Sequence, residues 1–177
     1  MVMGLGQILV AVIAFLIFVS MGMSKIWQPD EATARKVFNL WRMYAYKYST
    51  FFELPADVVM AQICVESSGD AAAKGTDKAG SVGLMQVTAG AVEDFNRWYR
   101  KSYTLTDVAD YTRPWINIEV GMGYLRGVQK YYVSSHTLED ALMAYNGGAK
   151  NINSTLTKQY LTRVFAYRTL IYKIMTE

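Results

Sequence analysis

Along this chain the hydrophobic pattern changes character near residue 25. The first 24 residues carry no charged side chain, and Gly4 to Met21 is apolar except for Gln7 and Ser20. At about 1.5 Å per residue, a helix of that length spans most of a bilayer hydrocarbon core of about 30 Å. The pattern predicts one transmembrane helix, with residues 1–24 as an anchor held in the membrane through residues 4–21. Ser20-Met21-Gly22 has the small-residue spacing of a signal-peptidase site, but no Lys or Arg precedes it to form a positive n-region, so the retained anchor is favoured over cleavage. Lys25 flanks one end and Asp30 and Glu31 follow, so charge bias gives no vote on orientation.

Beyond the anchor the periodicity is helical. Gln28-Pro29-Asp30 is a connection with Asp30 placed to cap a helix, and residues 25–36 form a juxtamembrane linker and helix start. Val37, Trp41, Tyr44 and Tyr48 recur at i, i+4, i+7 and i+11, one apolar stripe. Pro55 suits the first turn of a second helix. Between Pro55 and Val65 only Asp57 and Gln62 are polar, so that helix is buried on most sides. Ser68-Gly69-Asp70 ends it, and residues 69–83 are a Gly/Ala/Ser/Lys-rich loop with room for a short hairpin. Thr88 caps a helix through Val92 and Phe95. Pro114 interrupts the chain before a helix marked by Ile118, Met122, Leu125 and Val128. Another begins near Thr137 and stops at Gly147-Gly148. The last runs from about Lys158 with Leu161, Val164, Phe165 and Arg168 in register. The expectation is a mostly α helical bundle over residues 37–177, with a small loop or hairpin insertion.

Composition narrows the class. With 52% hydrophobic and 19% charged residues in 177, the chain is one folded domain plus an appendage and is not disordered. A net charge of +3 suits an anionic polymer or a membrane nearby without requiring either. Arg97, Arg100 and Lys101 beside Trp98 and Tyr99 read as a solvated helix face, so no nucleic-acid partner is expected. Cys64, the sole cysteine, forbids an internal disulfide and reads as a small core residue. His136 lacks a nearby Cys or second His, and no Asp/Glu set has calcium or zinc spacing. No metal or cofactor is expected.

The candidate chemistry sits at the end of the buried helix. Glu66 closes the stretch Pro55–Ser67, where a carboxylate is costly to keep ionised, so its pKa is expected to rise. A glutamate tuned upward serves a glycosidase as general acid. Gly83-Leu84-Met85-Gln86, Ala144-Tyr145-Asn146-Gly147-Gly148 and Tyr160 follow in order. Taken singly each is ordinary: a surface glutamate, a turn, a helix C-cap, a core tyrosine. Their order and separation make them specific together.

That ordered set resembles the catalytic domain of the soluble lytic transglycosylases, within the goose-type-lysozyme-like superfamily. The family pattern is an apolar helix ending in Glu-Ser, then Gly-Leu-Met-Gln, then Ala-Tyr-Asn-(Ala/Gly)-Gly, then a helix with Tyr-(hydrophobic)-x-(basic)-Val. Here these are Glu66-Ser67, Gly83 to Gln86, Ala144 to Gly148, and Tyr160-Leu161-Thr162-Arg163-Val164. Asn117-Ile118, Gly121 and Tyr124-Leu125 match a further family helix, and the likeness spans roughly residues 37–172. Thr88-Ala89 and Asp70-Ala71 stand where the family commonly has Met-Pro and Asn-Pro.

The resemblance implies an α+β lysozyme-like fold with a catalytic cleft and a peptidoglycan substrate. It implies cleavage of the bond from N-acetylmuramic acid to N-acetylglucosamine by Glu66 alone, leaving a 1,6-anhydromuramyl end. Tyr145 and Tyr160 would flank Glu66, Gln86 and Asn146 would hydrogen-bond the sugar, Met85 would line the cleft, and Ser67 would orient the glutamate loop. The wall side of the membrane (the periplasmic side) follows as the location. One anchor and no wall-binding repeats suit local perforation, by a phage virion protein during genome delivery or by a secretion or conjugation component. Two alternatives stay open. A hydrolytic goose-type muramidase would use Asp70 or Asp77 to position water, and a membrane-anchored wall-binding or assembly protein would keep the cleft without the chemistry.

Overall fold

In the computed structural model, which describes residues 27–76 and 79–177, the apolar helix ahead of Glu66 is the centre of the molecule. This helix, α2 (Ala56–Ser67), buries every side chain from Val58 to Cys64. It packs most extensively against α7 (Thr155–Thr176) and α1 (Glu31–Phe52). Each fully buried aliphatic side chain contributes about 1.5–3 kcal/mol, so a helix apolar on all sides is stable only when surrounded. Pro55 sits one residue ahead of its expected place in the first turn. It has an extended ψ of 127°, and its carbonyl accepts from Val59 N at 3.2 Å.

Asp30 caps α1 by accepting from Thr33 N at 2.8 Å. Of the predicted stripe, Val37 and Tyr48 are buried, while Trp41 and Tyr44 are half-buried against the same core. Thr88 caps α3 (Ala89–Tyr99), which buries Ala91, Val92 and Phe95. Pro114 opens α5 (Pro114–Gly127) at its first position, where a missing N–H costs nothing. The helix then loosens into a π turn over Val128–Tyr132. Thr137 caps α6 (Leu138–Gly147). α7 starts three residues before its expected start, because Ser154 accepts from Thr157 N and caps it there. The five-residue α4 (Leu105–Ala109) was not expected. It is too short to show a period and is announced only by the Thr104–Asp107 capping box.

One expectation needs amendment. The α+β description is too generous, because among the described residues there is no strand. The insertion after α2 makes only isolated antiparallel bridges, Lys74 with Val82 and Val82 with Val87. Gly83 (φ +74°) and Gln86 (φ +47°) both take left-handed backbone there, which reverses the chain before a ladder can extend. The expected anchor over residues 1–24 lies outside the described residues. Among those, no helix is long and apolar enough to cross a membrane.

Candidate active site

Glu66 stands on the last turn of α2, partly buried. Ser68, at φ +52°, ends the helix. Ser67 ties this end to the insertion: its hydroxyl lies 2.9 Å from Leu84 O and 3.2 Å from Ile63 O, and accepts from Gly69 N at 3.2 Å. Ser67 therefore couples the glutamate turn to the Gly83–Gln86 loop.

That loop is held from inside the protein. Asn117 of α5 is buried, and its Oδ1 accepts from Met85 N at 2.8 Å. Its Nδ2 donates to Val82 O at 2.8 Å and Val108 O at 3.2 Å. Gly83 makes room for this amide, since a Cβ there would stand 2.2 Å from Asn117 Nδ2. The Gln86 side chain folds back into the loop. Its Oε1 accepts from Ser81 Oγ at 2.9 Å and its Nε2 donates to Gly83 O at 2.9 Å. Met85 is completely buried, packing against Gly121 of α5, so its side chain lies beneath the cleft and not in its wall. Its carbonyl is what it offers, accepting from Tyr145 Oη at 2.7 Å.

From α7, Tyr160 Oη donates to Glu66 Oε1 at 2.6 Å. Burial first, then the Glu66 charge, hold the Tyr160 phenol well above its ordinary pKa. The same two causes in the same order raise that of Tyr145. Both tyrosines are therefore neutral donors at any physiological pH. Tyr145 also meets Tyr124 edge to face, with centroids 5.4 Å apart.

Glu66, Gln86, Tyr145 and Asn146 line one open cleft of about 370 Å³, together with Ala79, Ser81 and Thr88. Asn146 is exposed at its rim, just before the close of α6. Glu66 is the one acidic side chain among these lining residues. Asp70 is exposed, and its Oδ1 accepts from Ala72 N at 2.9 Å in the turn after α2. Asp77 lies outside the described residues. Among the described residues no cluster of His, Cys, Asp or Glu is arranged to hold a metal ion.

Sequence reasoning did not single out Ala79, Ser81 or Thr88 as cleft residues, nor Asn117 as the support of the loop. Ser81 and Thr88 carry no motif of their own. Asn117 was visible as part of a helix pattern, but its partners lie 9 to 35 residues away.

A carboxyl group held by a phenol and facing a cleft is an arrangement that can deliver a proton to a bound substrate. The family model described as the transglycosylase SLT domain matches residues 41–164. An inactive mutant of the lytic transglycosylase Slt from Pseudomonas aeruginosa is similar in structure, with a TM-score of 0.67 and 18% identity over 77% of this chain. The 70 kDa soluble lytic transglycosylase from Escherichia coli gives a TM-score of 0.66 and 20% identity over 76% of this chain. In both cases the match spans 24% of the longer protein. No curated protein matches the chain.

Proposed function

The chain belongs to the transglycosylase SLT domain family, and from that premise we propose that it is a peptidoglycan lytic transglycosylase with Glu66 as both acid and base. The observation that carries this reading is the Glu66 carboxylate opening on the cleft with Oε1 held by Tyr160 at 2.6 Å.

Two carboxylates are the usual requirement for cutting a glycosidic bond. A single one suffices when the substrate supplies the second function. Protonated Glu66 gives its proton to the glycosidic oxygen as the bond from that oxygen to C1 of N-acetylmuramic acid breaks. The 2-acetamido oxygen of the same sugar stabilises C1. The Glu66 carboxylate then takes the proton of the C6 hydroxyl as O6 bonds to C1, which restores the acid and closes the 1,6-anhydro ring without water. Tyr160 fixes the carboxyl group through Oε1 while Glu66 faces the cleft for both transfers. Asn146 at the rim hydrogen-bonds sugar. Gln86 and Ser67 shape the floor and the glutamate turn, and Met85 anchors Tyr145 through its carbonyl.

A hydrolase would need a second carboxylate to orient water. The turn bond of Asp70 and the single acid among the described cleft-lining residues favour the transglycosylase. We place the domain on the wall side of a membrane, anchored through residues 4–21 and acting in local perforation for phage genome delivery, secretion or conjugation.

Mass spectrometry of products from purified peptidoglycan tests the chemistry. Anhydromuramyl ends, one water lighter than reducing ends, are expected. Predominantly reducing ends would make the enzyme a muramidase. Activity that survives Glu66→Gln above about a tenth of the wild-type rate would move the acid elsewhere. The Pseudomonas protein was crystallised as an inactive mutant in which glutamate is replaced by glutamine, the exchange to be made here.

A further inference from the structure

Gln62 stands four residues before Glu66 in α2, on the same face one turn back. It is completely buried. Neither its amide nitrogen nor its carbonyl oxygen has a hydrogen-bond partner among the described residues. A buried amide in that condition is destabilising. The surrounding positions of the helix are Val, Met, Ala, Ile and Cys, so packing alone does not call for a glutamine.

Tyr160 accounts for it. Burial and the Glu66 carboxylate raise the affinity of that phenol for its proton, and the Gln62 side chain acts the other way and lowers it. An N–H aimed at the phenol oxygen has this effect, because it favours negative charge there. Hydrogen bonds of catalytic groups are often long or misaligned before substrate binds and tighten in the reacting complex.

We propose that Gln62 is a positioning residue for the acid: its amide N–H donates to the Tyr160 oxygen, fixing the hydroxyl so that its proton points at Glu66 Oε1. The chain of donors runs Gln62 to Tyr160 to Glu66, each bond polarising the next. The proposal rests on Glu66 being the acid, as proposed above.

Gln62→Leu, of similar size and apolar, separates this role from packing. The expected result is a kcat about tenfold lower (about 1.4 kcal/mol), an unchanged KM, and a thermal midpoint equal to or above wild type. The losses should not add. Gln62→Leu placed on Tyr160→Phe should be no slower than Tyr160→Phe alone. Without any turnover, the ¹³Cζ resonance of Tyr160 at neutral pH, identified by its disappearance in Tyr160→Phe, should move in Gln62→Leu. A wild-type kcat, a loss that tracks loss of folded protein, additive losses in the double variant, or an unmoved Tyr160 resonance would each overturn the proposal. A wild-type protein that leaves peptidoglycan intact would instead overturn the assigned function, with the resonance still deciding whether Gln62 contacts Tyr160.

Discussion

Tyr160 Oη and Glu66 Oε1 lie 2.6 Å apart and join α7 to the last turn of α2 across 94 residues of chain. A hydrogen bond to a charged group is worth about 1.5–3 kcal/mol. Phenylalanine at this position keeps the ring's packing and removes only the donor. Tyr160→Phe should therefore fold with a thermal midpoint a few degrees below wild type and lose about 10- to 100-fold in kcat, at about 1.4 kcal/mol per tenfold. Turnover of labelled peptidoglycan measures it, and wild-type turnover would remove Tyr160 from the site.

The two buried tyrosines make a prediction about pH. The phenols of Tyr145 and Tyr160 ionise well above their ordinary value in the folded protein, and at about 10 in the unfolded chain. A raised folded pKa means the native state keeps its proton longer than the unfolded state does. The stability this provides is whole below about pH 10 and is lost as pH rises through the folded values. Tyr145→Phe removes one such group. Denaturant titrations from about pH 9 to 11 should show wild-type stability falling more steeply than that of the variant. Parallel curves would show that Tyr145 is not held neutral by the fold.

Asn117 carries the loop from beneath, with three bonds to backbone groups of Met85, Val82 and Val108. Asn117→Leu takes the partner from Met85 N and Val108 O, at about 1–3 kcal/mol each, while Val82 O keeps its bond from Val87 N at 2.9 Å, so a loss of about 2–6 kcal/mol is expected. Activity should fall even where the variant remains folded, because Met85 also receives the Tyr145 hydroxyl. Thermal unfolding and turnover at a low temperature measure the two effects. A variant as stable as wild type would show that the loop does not depend on this amide.

What could be read in the sequence was whatever has a short period or a local cap. Asp30, Thr88 and Thr137 mark helix starts by bonds made within three residues. α2 declares itself by being apolar on every side. The Glu66 end, the Gly83–Gln86 turn and the Ala144–Gly148 turn are short segments whose ordering is visible without coordinates. What could not be read is the direction in which a side chain faces when several elements compete for it. Met85 is apolar and sits in a motif, which suits a cleft wall. Gly121 of α5 leaves space that draws it into the core. Gln86 is polar and suits sugar, but Ser81, Gly83 and the left-handed backbone turn its amide back into the loop. The contribution of Asn117 depends on residues brought together only by folding.

The beginning of the described chain bears on whether the domain stands without its apolar leader. Trp27 meets Tyr167 of α7 edge to face with centroids 5.6 Å apart, and the Arg163 guanidinium lies 5.5 Å above the Trp27 ring. Asp30 N donates to Tyr167 Oη at 3.2 Å while the Asp30 carboxylate caps α1. These contacts fasten the start of α1 to the helix that carries Tyr160. A chain beginning at Trp27 keeps all of them and should be soluble, folded and active. A chain beginning at Glu31 loses the cap and the aromatic clasp together, and should unfold several degrees lower with reduced turnover, since α7 is then less firmly held. The full-length protein, with about 18 apolar residues before Lys25, should stay with carbonate-washed membranes. Release on washing would count against the anchor. An insoluble or inactive chain from Trp27 would show that the segment before it belongs to the fold.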